Sequence, residues 1–248
     1  MAFRSCLLAT LMIYTTSVWG QARHCQNCGV VLKQSRIFDK LTYSWALPKY
    51  SRDITIWYKD SLVIEEAQHL YITNNHITGQ ETWKVETDHY IFIDLRKRAF
   101  YEYKNFSDTA AIQKKYRQPD SADINDSWNF IRTRAVISTK NLRHLTDTTI
   151  EGISYRRITS TDSSFSGDKM FSSFTWAYLR GDIKKSLFCL DKPLSGQLGR
   201  PIVRWDVLDL PANILSSSRI NFSSSSLTPK ELKVFAAWEK NAADHPVR

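Results

Sequence analysis

From residue 53 onward, hydrophobic and polar positions alternate in short runs of β-branched and aromatic residues, the period-2 pattern of antiparallel strands. Ile54-Thr55-Ile56-Trp57-Tyr58 and Leu62-Val63-Ile64 flank Lys59-Asp60-Ser61, which predicts a hairpin. A second pair follows: residues 83–85 and Tyr90-Ile91-Phe92-Ile93 lead to the charged tip Arg96-Lys97-Arg98, and Phe100-Tyr101-Glu102-Tyr103 returns. Odd and even positions of Tyr90-Ile91-Phe92-Ile93 are both apolar, so this strand is expected to be covered on both faces, in the middle of a packed sheet. Further strands are predicted over 129–138, 152–159, 174–179, 185–190 and 202–207. Short strands in series point to a meander, barrel or sandwich in preference to βαβ units.

Two segments carry helix signals. Ser107-Asp108 predicts a cap for a helix over 109–117, stopped by Pro119. Thr228 at N-cap, Pro229 at N1 and Glu231 at N3 form a capping box, followed by Leu232, Phe235, Ala236 and Trp238 at helical spacing. The Ser-rich stretch 216–226 reads as a loop or a polar edge strand, and 118–127 as a loop.

The start of the chain has a different texture. Arg4, an apolar run over 6–14 too brief to span a bilayer, and Val18-Trp19-Gly20 predict a secretory signal peptide over 1–20, with Gln21 first in the mature chain. The expected organisation is this signal, an N-terminal segment with a CxxC over 21–52, and a single β-rich domain over 53–248 ending in a helix. That places the protein outside the cytoplasm, periplasmic or secreted, and soluble after cleavage. The net charge of +9 favours an anionic membrane surface, acidic glycans or lipid headgroups over nucleic acid, which is not an expected partner.

Few residues offer chemistry. No Gly-rich phosphate loop is present, so nucleotide-binding folds are disfavoured and no cofactor is expected. Cys25, Cys28 and Cys189 remain after signal removal; an exported chain favours a structural disulfide, either Cys25 to Cys28 or one of them to Cys189. A zinc site would need two further ligands that no second motif supplies. His69, His76, His89 and His144 are scattered, and Asp88-His89 lacks a framed nucleophile, so no catalytic residue is assigned. The abundant aromatics either fill the core or line the inner face of a curved sheet as a cavity for an acyl chain. In the second case the basic residues Arg96, Lys97, Arg98, Lys114, Lys115 and Arg117 would meet a headgroup or an anionic membrane.

The run from Trp83 to Tyr103 (WKVETDHYIFIDLRKRAFYEY), preceded by the hairpin over 54–66 and followed by DTTIEGISY over 147–155, resembles exported bacterial proteins of the LolA/LolB lipoprotein-carrier type and the GLPGLI-type proteins of Bacteroidetes. The resemblance implies a half-barrel of antiparallel strands with helices over its concave face, enclosing an apolar ligand site. The expected fold is therefore mainly β (α+β), a curved antiparallel sheet or half-barrel with one or two covering helices. The expected function is non-enzymatic binding of an apolar or lipid-like ligand. A secreted hydrolase with a dispersed active site and a structural or interaction module of an envelope complex stand as the rival readings.

Overall fold

The computed structural model describes residues 27–48, 51–117, 141–166, 169–183, 186–223 and 226–247. The chain opens with β1 (Cys28–Asp39) and the short β2 (Ser44–Ala46), then runs through β3 (Ile54–Lys59), β4 (Leu62–Asn74), β5 (Glu81–Asp94), β6 (Ala99–Tyr103) and β7 (Ile112–Arg117). It resumes with β8 (Arg143–Ile150), β9 (Ile153–Ser166) and β10 (Lys169–Arg180), helix α1 (Lys192–Leu198), β11 (Ile202–Asp209), β12 (Ile214–Phe222) and helix α2 (Pro229–Asp244). All the described strands join one antiparallel sheet, curved and unclosed, in the order β7-β6-β5-β4-β3-β1-β12-β11-β10-β9-β8, with β2 paired to the far end of β1.

This order is an up-and-down meander whose first and last strands meet in the middle. Val31 of β1 stands opposite Phe222 of β12, while the sequence neighbours β7 and β8 form the two edges. Closure of the sheet on itself would require those edges to pair. No helix among the described residues is long and apolar enough to cross a membrane.

Because side chains alternate across a strand, β1 and β3 to β7 feed two cores, while β9 to β12 feed one. On the face that α1 covers, Val31, Ile56, Val63, Ile91, Ile93 and Phe100 join Ala177, Leu179, Ile202 and Ile220 from the other wing, beneath Phe188, Leu190 and Leu194. On the opposite face, Ile64, Phe92, Tyr101 and Tyr103 pack against Val234, Phe235, Trp238 and Ala242 of α2. β5 thus contributes Ile91 and Ile93 to one core and Phe92 to the other, the two-sided covering its sequence predicts. Phe235 and Trp238 are both 0% exposed, and burying a side chain of that size stabilises by roughly 1.5–3 kcal/mol.

The capping box forms as predicted. The Thr228 hydroxyl accepts from the Glu231 N–H at 3.3 Å, and a Glu231 carboxylate oxygen accepts from the Thr228 N–H at 2.6 Å. Three other expectations fail. Residues 112–117 form strand β7 in place of a helix, because β6 offers them a ladder: Phe100 stands opposite Tyr116, and the two rings stack at 5.3 Å with planes 4° apart. Residues 186–190 are an irregular lead into α1, in which Phe188, Cys189 and Leu190 are buried beneath the sheet face. The Ser-rich stretch contains β12, which lies between β1 and β11, so it is a central strand and neither a loop nor an edge. The signal region 1–20, the loop 118–127 and the strand over 129–138 lie outside the described residues.

Candidate ligand-binding site

β1 brings together two rings that are far apart in sequence. It pairs on one side with β3, placing Gly29 opposite Tyr58, and on the other with β12, placing Val31 opposite Phe222. Glycine at 29 gives the Tyr58 ring room, since a Cβ there would stand 3.1 Å from the Tyr58 hydroxyl. The segment between β10 and β11 then folds across this end of the sheet. It is anchored by backbone bonds from the Arg180 N–H to the Pro201 carbonyl (3.2 Å) and from the Leu190 N–H to the Ile202 carbonyl (2.8 Å).

Local chemistry fixes α1 within that segment. Asp191 is 1% exposed and caps the helix, accepting from the Leu194 N–H at 2.9 Å. The Ser195 hydroxyl accepts from the Ile202 N–H at 3.0 Å, tying the helix to the first residue of β11. Gly199 ends it at φ +68°, the left-handed conformation that glycine adopts without a Cβ penalty.

Between this segment and the sheet lies a pocket of about 720 Å³. Tyr58, Ile183, Leu187, Phe188, Pro201 and Phe222 supply apolar wall, with Tyr58 and Phe188 in ring contact at 5.1 Å. Lys192 and Arg200 supply positive charge, and no carboxylate is among the described residues that line it. Arg180 lies over the Phe222 ring at 5.9 Å.

The same sheet face buries a second notable group. Glu65 stands between Ile56 on β3 and Ile91 on β5, is 4% exposed, and its Oε2 has no hydrogen-bond partner. Burial pushes its pKa up to about 8, against the smaller opposing pull of Lys33.

The residues singled out from sequence fall apart in space. Cys189 lines the pocket as a free thiol, 4% exposed, its pKa raised by burial. Cys28 packs on the α2 side, so the sheet separates it from Cys189 and the Cys28 to Cys189 staple is not formed. Cys25 lies outside the described residues. His89 Nδ1 meets Asp88 Oδ2 at 2.9 Å, and Asp88 also accepts from Lys104 at 2.9 Å. Lys104 first and His89 second hold the Asp88 carboxyl down at about 2. His69 contacts the Tyr71 ring at 4.6 Å, while His76 sits exposed in the β4–β5 turn and His144 exposed on β8. Among the described residues no group of three His, Cys, Asp or Glu side chains is placed to hold a metal ion.

The aromatics divide between the two readings. Phe92, Tyr101, Tyr103 and Trp238 fill the core beneath α2, whereas Tyr58, Phe188 and Phe222 line the pocket. Sequence reasoning missed Phe188, Phe222 and Glu65. The alternation from Val63 already placed Glu65 on an inward face, so that residue alone had a readable signal.

Fold and pocket together define the class: a curved, unclosed antiparallel sheet with a helix on each face and a largely apolar pocket under the smaller one. No family model matches the chain, and no curated protein does. Among solved structures, the crystal structure of LprF from Mycobacterium bovis is similar over 83% of this chain and 90% of that chain, with a TM-score of 0.34 and 8% identity. A likeness at that level assigns neither a ligand nor a role.

Proposed function

We propose that the protein is an exported, non-enzymatic binding protein that holds an apolar, lipid-like ligand with an anionic end in the pocket between α1 and the Tyr58/Phe222 end of the sheet. The observation that carries this is the composition of that pocket. Among the described residues that line its roughly 720 Å³, six are apolar or aromatic, two are cations and none is a carboxylate, and the volume falls within the roughly 300–1,000 Å³ of small-molecule sites. An acyl chain fits the wall and a carboxylate or phosphate fits Lys192 and Arg200. Burial of ten methylenes at ~0.8 kcal/mol each would supply about 8 kcal/mol, a micromolar dissociation constant before the costs of association. Export follows the reading of residues 1–20 as a signal peptide.

A fluorescent fatty-acid probe tests the reading. Gly196 lines the pocket, and a Cβ added there meets nothing within 4 Å. Gly196→Phe, which places a ring at the pocket's wall, should weaken probe binding at least about tenfold while the melting temperature holds or rises, since glycine is the poorer helix residue. Absence of probe binding by the wild type, or equal affinity in Gly196→Phe, overturns the proposal.

A further inference from the structure

We propose that the pocket end of the sheet docks on an anionic lipid surface. Backbone bonds tie the turns at this end together: the Asp60 N–H donates to the Asn27 carbonyl at 2.8 Å, and the Leu95 N–H to the Ser61 carbonyl at 3.0 Å. Asn27 and Tyr58 line the pocket, so the β5–β6 turn carrying Arg96, Lys97 and Arg98 lies at the pocket's end of the molecule. All three side chains are exposed. The β6–β7 register sets Arg117 opposite Ala99 and Lys115 opposite Tyr101, which adds the cations of β7 beside that turn.

Among the described residues, no carboxylate pairs with Arg96, Lys115 or Arg117. Asp94 Oδ2 reaches Lys97 at 3.4 Å, while its Oδ1 accepts from the Arg96 and Lys97 N–H groups at 3.0 and 3.1 Å, shaping the turn. Glu102 approaches Lys114 at 3.7 Å. Lysines on β7 alone would be ordinary protection of an edge strand against pairing. Edge protection does not account for three consecutive cations on a turn. The opposite end of the sheet is of another character: its turns expose Leu41 (93%), Tyr43 (83%), Ile77 (96%) and Leu210 (43%). The exposed cations of the β5–β6 turn and β7 and these exposed apolar turn residues thus lie at opposite ends of the strand axis, and charge complementarity selects an anionic bilayer for the basic end. Docking stands on charge alone; its consequence, exchange of a pocket ligand with the membrane, rests on the ligand reading above.

Co-sedimentation with phosphatidylcholine vesicles, pure or doped with phosphatidylglycerol, is the test. Wild type should bind the doped vesicles, not the pure ones, and release as salt shortens the Debye length. The combined Arg96→Gln, Lys97→Gln, Arg117→Gln variant, its fold checked by circular dichroism, should lose about 100-fold in partition at about fivefold per cation. A Leu41→Ser, Tyr43→Ser, Ile77→Ser variant should bind as wild type, and so should Gly196→Phe, which separates docking from pocket occupancy. Unchanged partition in the charge variant, loss in the apolar-end variant, or binding to heparin without binding to the doped vesicles overturns the proposal.

Discussion

Tyr103 and Trp238 lie face to face, ring centroids 3.9 Å apart and planes 3° from parallel, joining the end of β6 to the middle of α2. The Trp238 ring also meets Phe92 edge-on at 6.3 Å, and its Nε1–H donates to the Ser107 carbonyl at 2.8 Å. One residue therefore links the helix to the sheet and to the turn that launches β7. Trp238→Ala should cost about 3–5 kcal/mol through the cavity it leaves, seen as a lower midpoint in denaturant. Tyr103→Phe keeps the stack. The Tyr103 hydroxyl is buried without a well-formed hydrogen bond, and burial pushes its pKa up to about 12, so its removal should change stability by no more than about 1 kcal/mol.

Glu231 serves two partners. One carboxylate oxygen closes the capping box with Thr228, and the other accepts from the Trp57 Nε1–H of β3 at 2.7 Å. Thr228→Ala should cost about 1 kcal/mol. Glu231→Ala removes the side-chain half of the capping box and also leaves the indole N–H unpaired, so it should cost more, about 2 kcal/mol in total. Equal melting temperatures for the two variants would rule out the cross-link to β3.

What could be read from sequence was whatever is local. The capping box needs only Thr228 to Glu231, and the two-sided strand shows in four consecutive apolar residues, Tyr90 to Ile93. β1 was not readable, because its middle, Lys33-Gln34-Ser35-Arg36, is polar at odd and even positions alike. The reason lies far away in the chain: Gln34 accepts from Arg219 and Asn221 and donates to Asp53, so a central strand tolerates a polar layer that its own pattern does not explain. The pocket has the same origin. Tyr58 and Phe222 become neighbours only because β1 pairs with both their strands, and α1, at seven residues, is too short to leave a periodic signal.

Cys189 should behave as a shielded thiol. It is 4% exposed, and burial raises its pKa, with the Ser195 hydrogen bond pulling the other way. Thiolate is the reactive form, so maleimide labelling of the native protein at neutral pH should be at least about tenfold slower than after unfolding. Mass spectrometry of peptides resolves Cys189 from the other cysteines. Because the thiol lines the pocket, saturating fatty acid should slow labelling further; labelling indifferent to ligand would place the ligand elsewhere.

Glu65 makes stability depend on pH in an unusual direction. Its carboxyl sits among Ile56 and Ile91 with pKa about 8, against 4.5 for an unburied glutamate. Below 4.5 folded and unfolded chains both hold the proton. Between 4.5 and 8 the folded chain keeps it while the unfolded chain releases it, so the unfolded state binds fewer protons and unfolding becomes easier as pH rises. The slope approaches about 1.4 kcal/mol per pH unit at most, reduced wherever Lys33 draws close to the ionised form. The paired carboxylates Asp53, Asp88 and Asp182, held below the usual range, act in the opposite sense and only in acid, below about pH 4. Thermal melts between pH 5 and 8 therefore isolate Glu65: wild type should lose stability steadily across this range, and Glu65→Gln, which keeps the shape and cannot ionise, should flatten the profile. A Glu65→Gln protein whose midpoint still fell in parallel with wild type would show that the carboxyl is already ionised, paired with Lys33, in the folded chain.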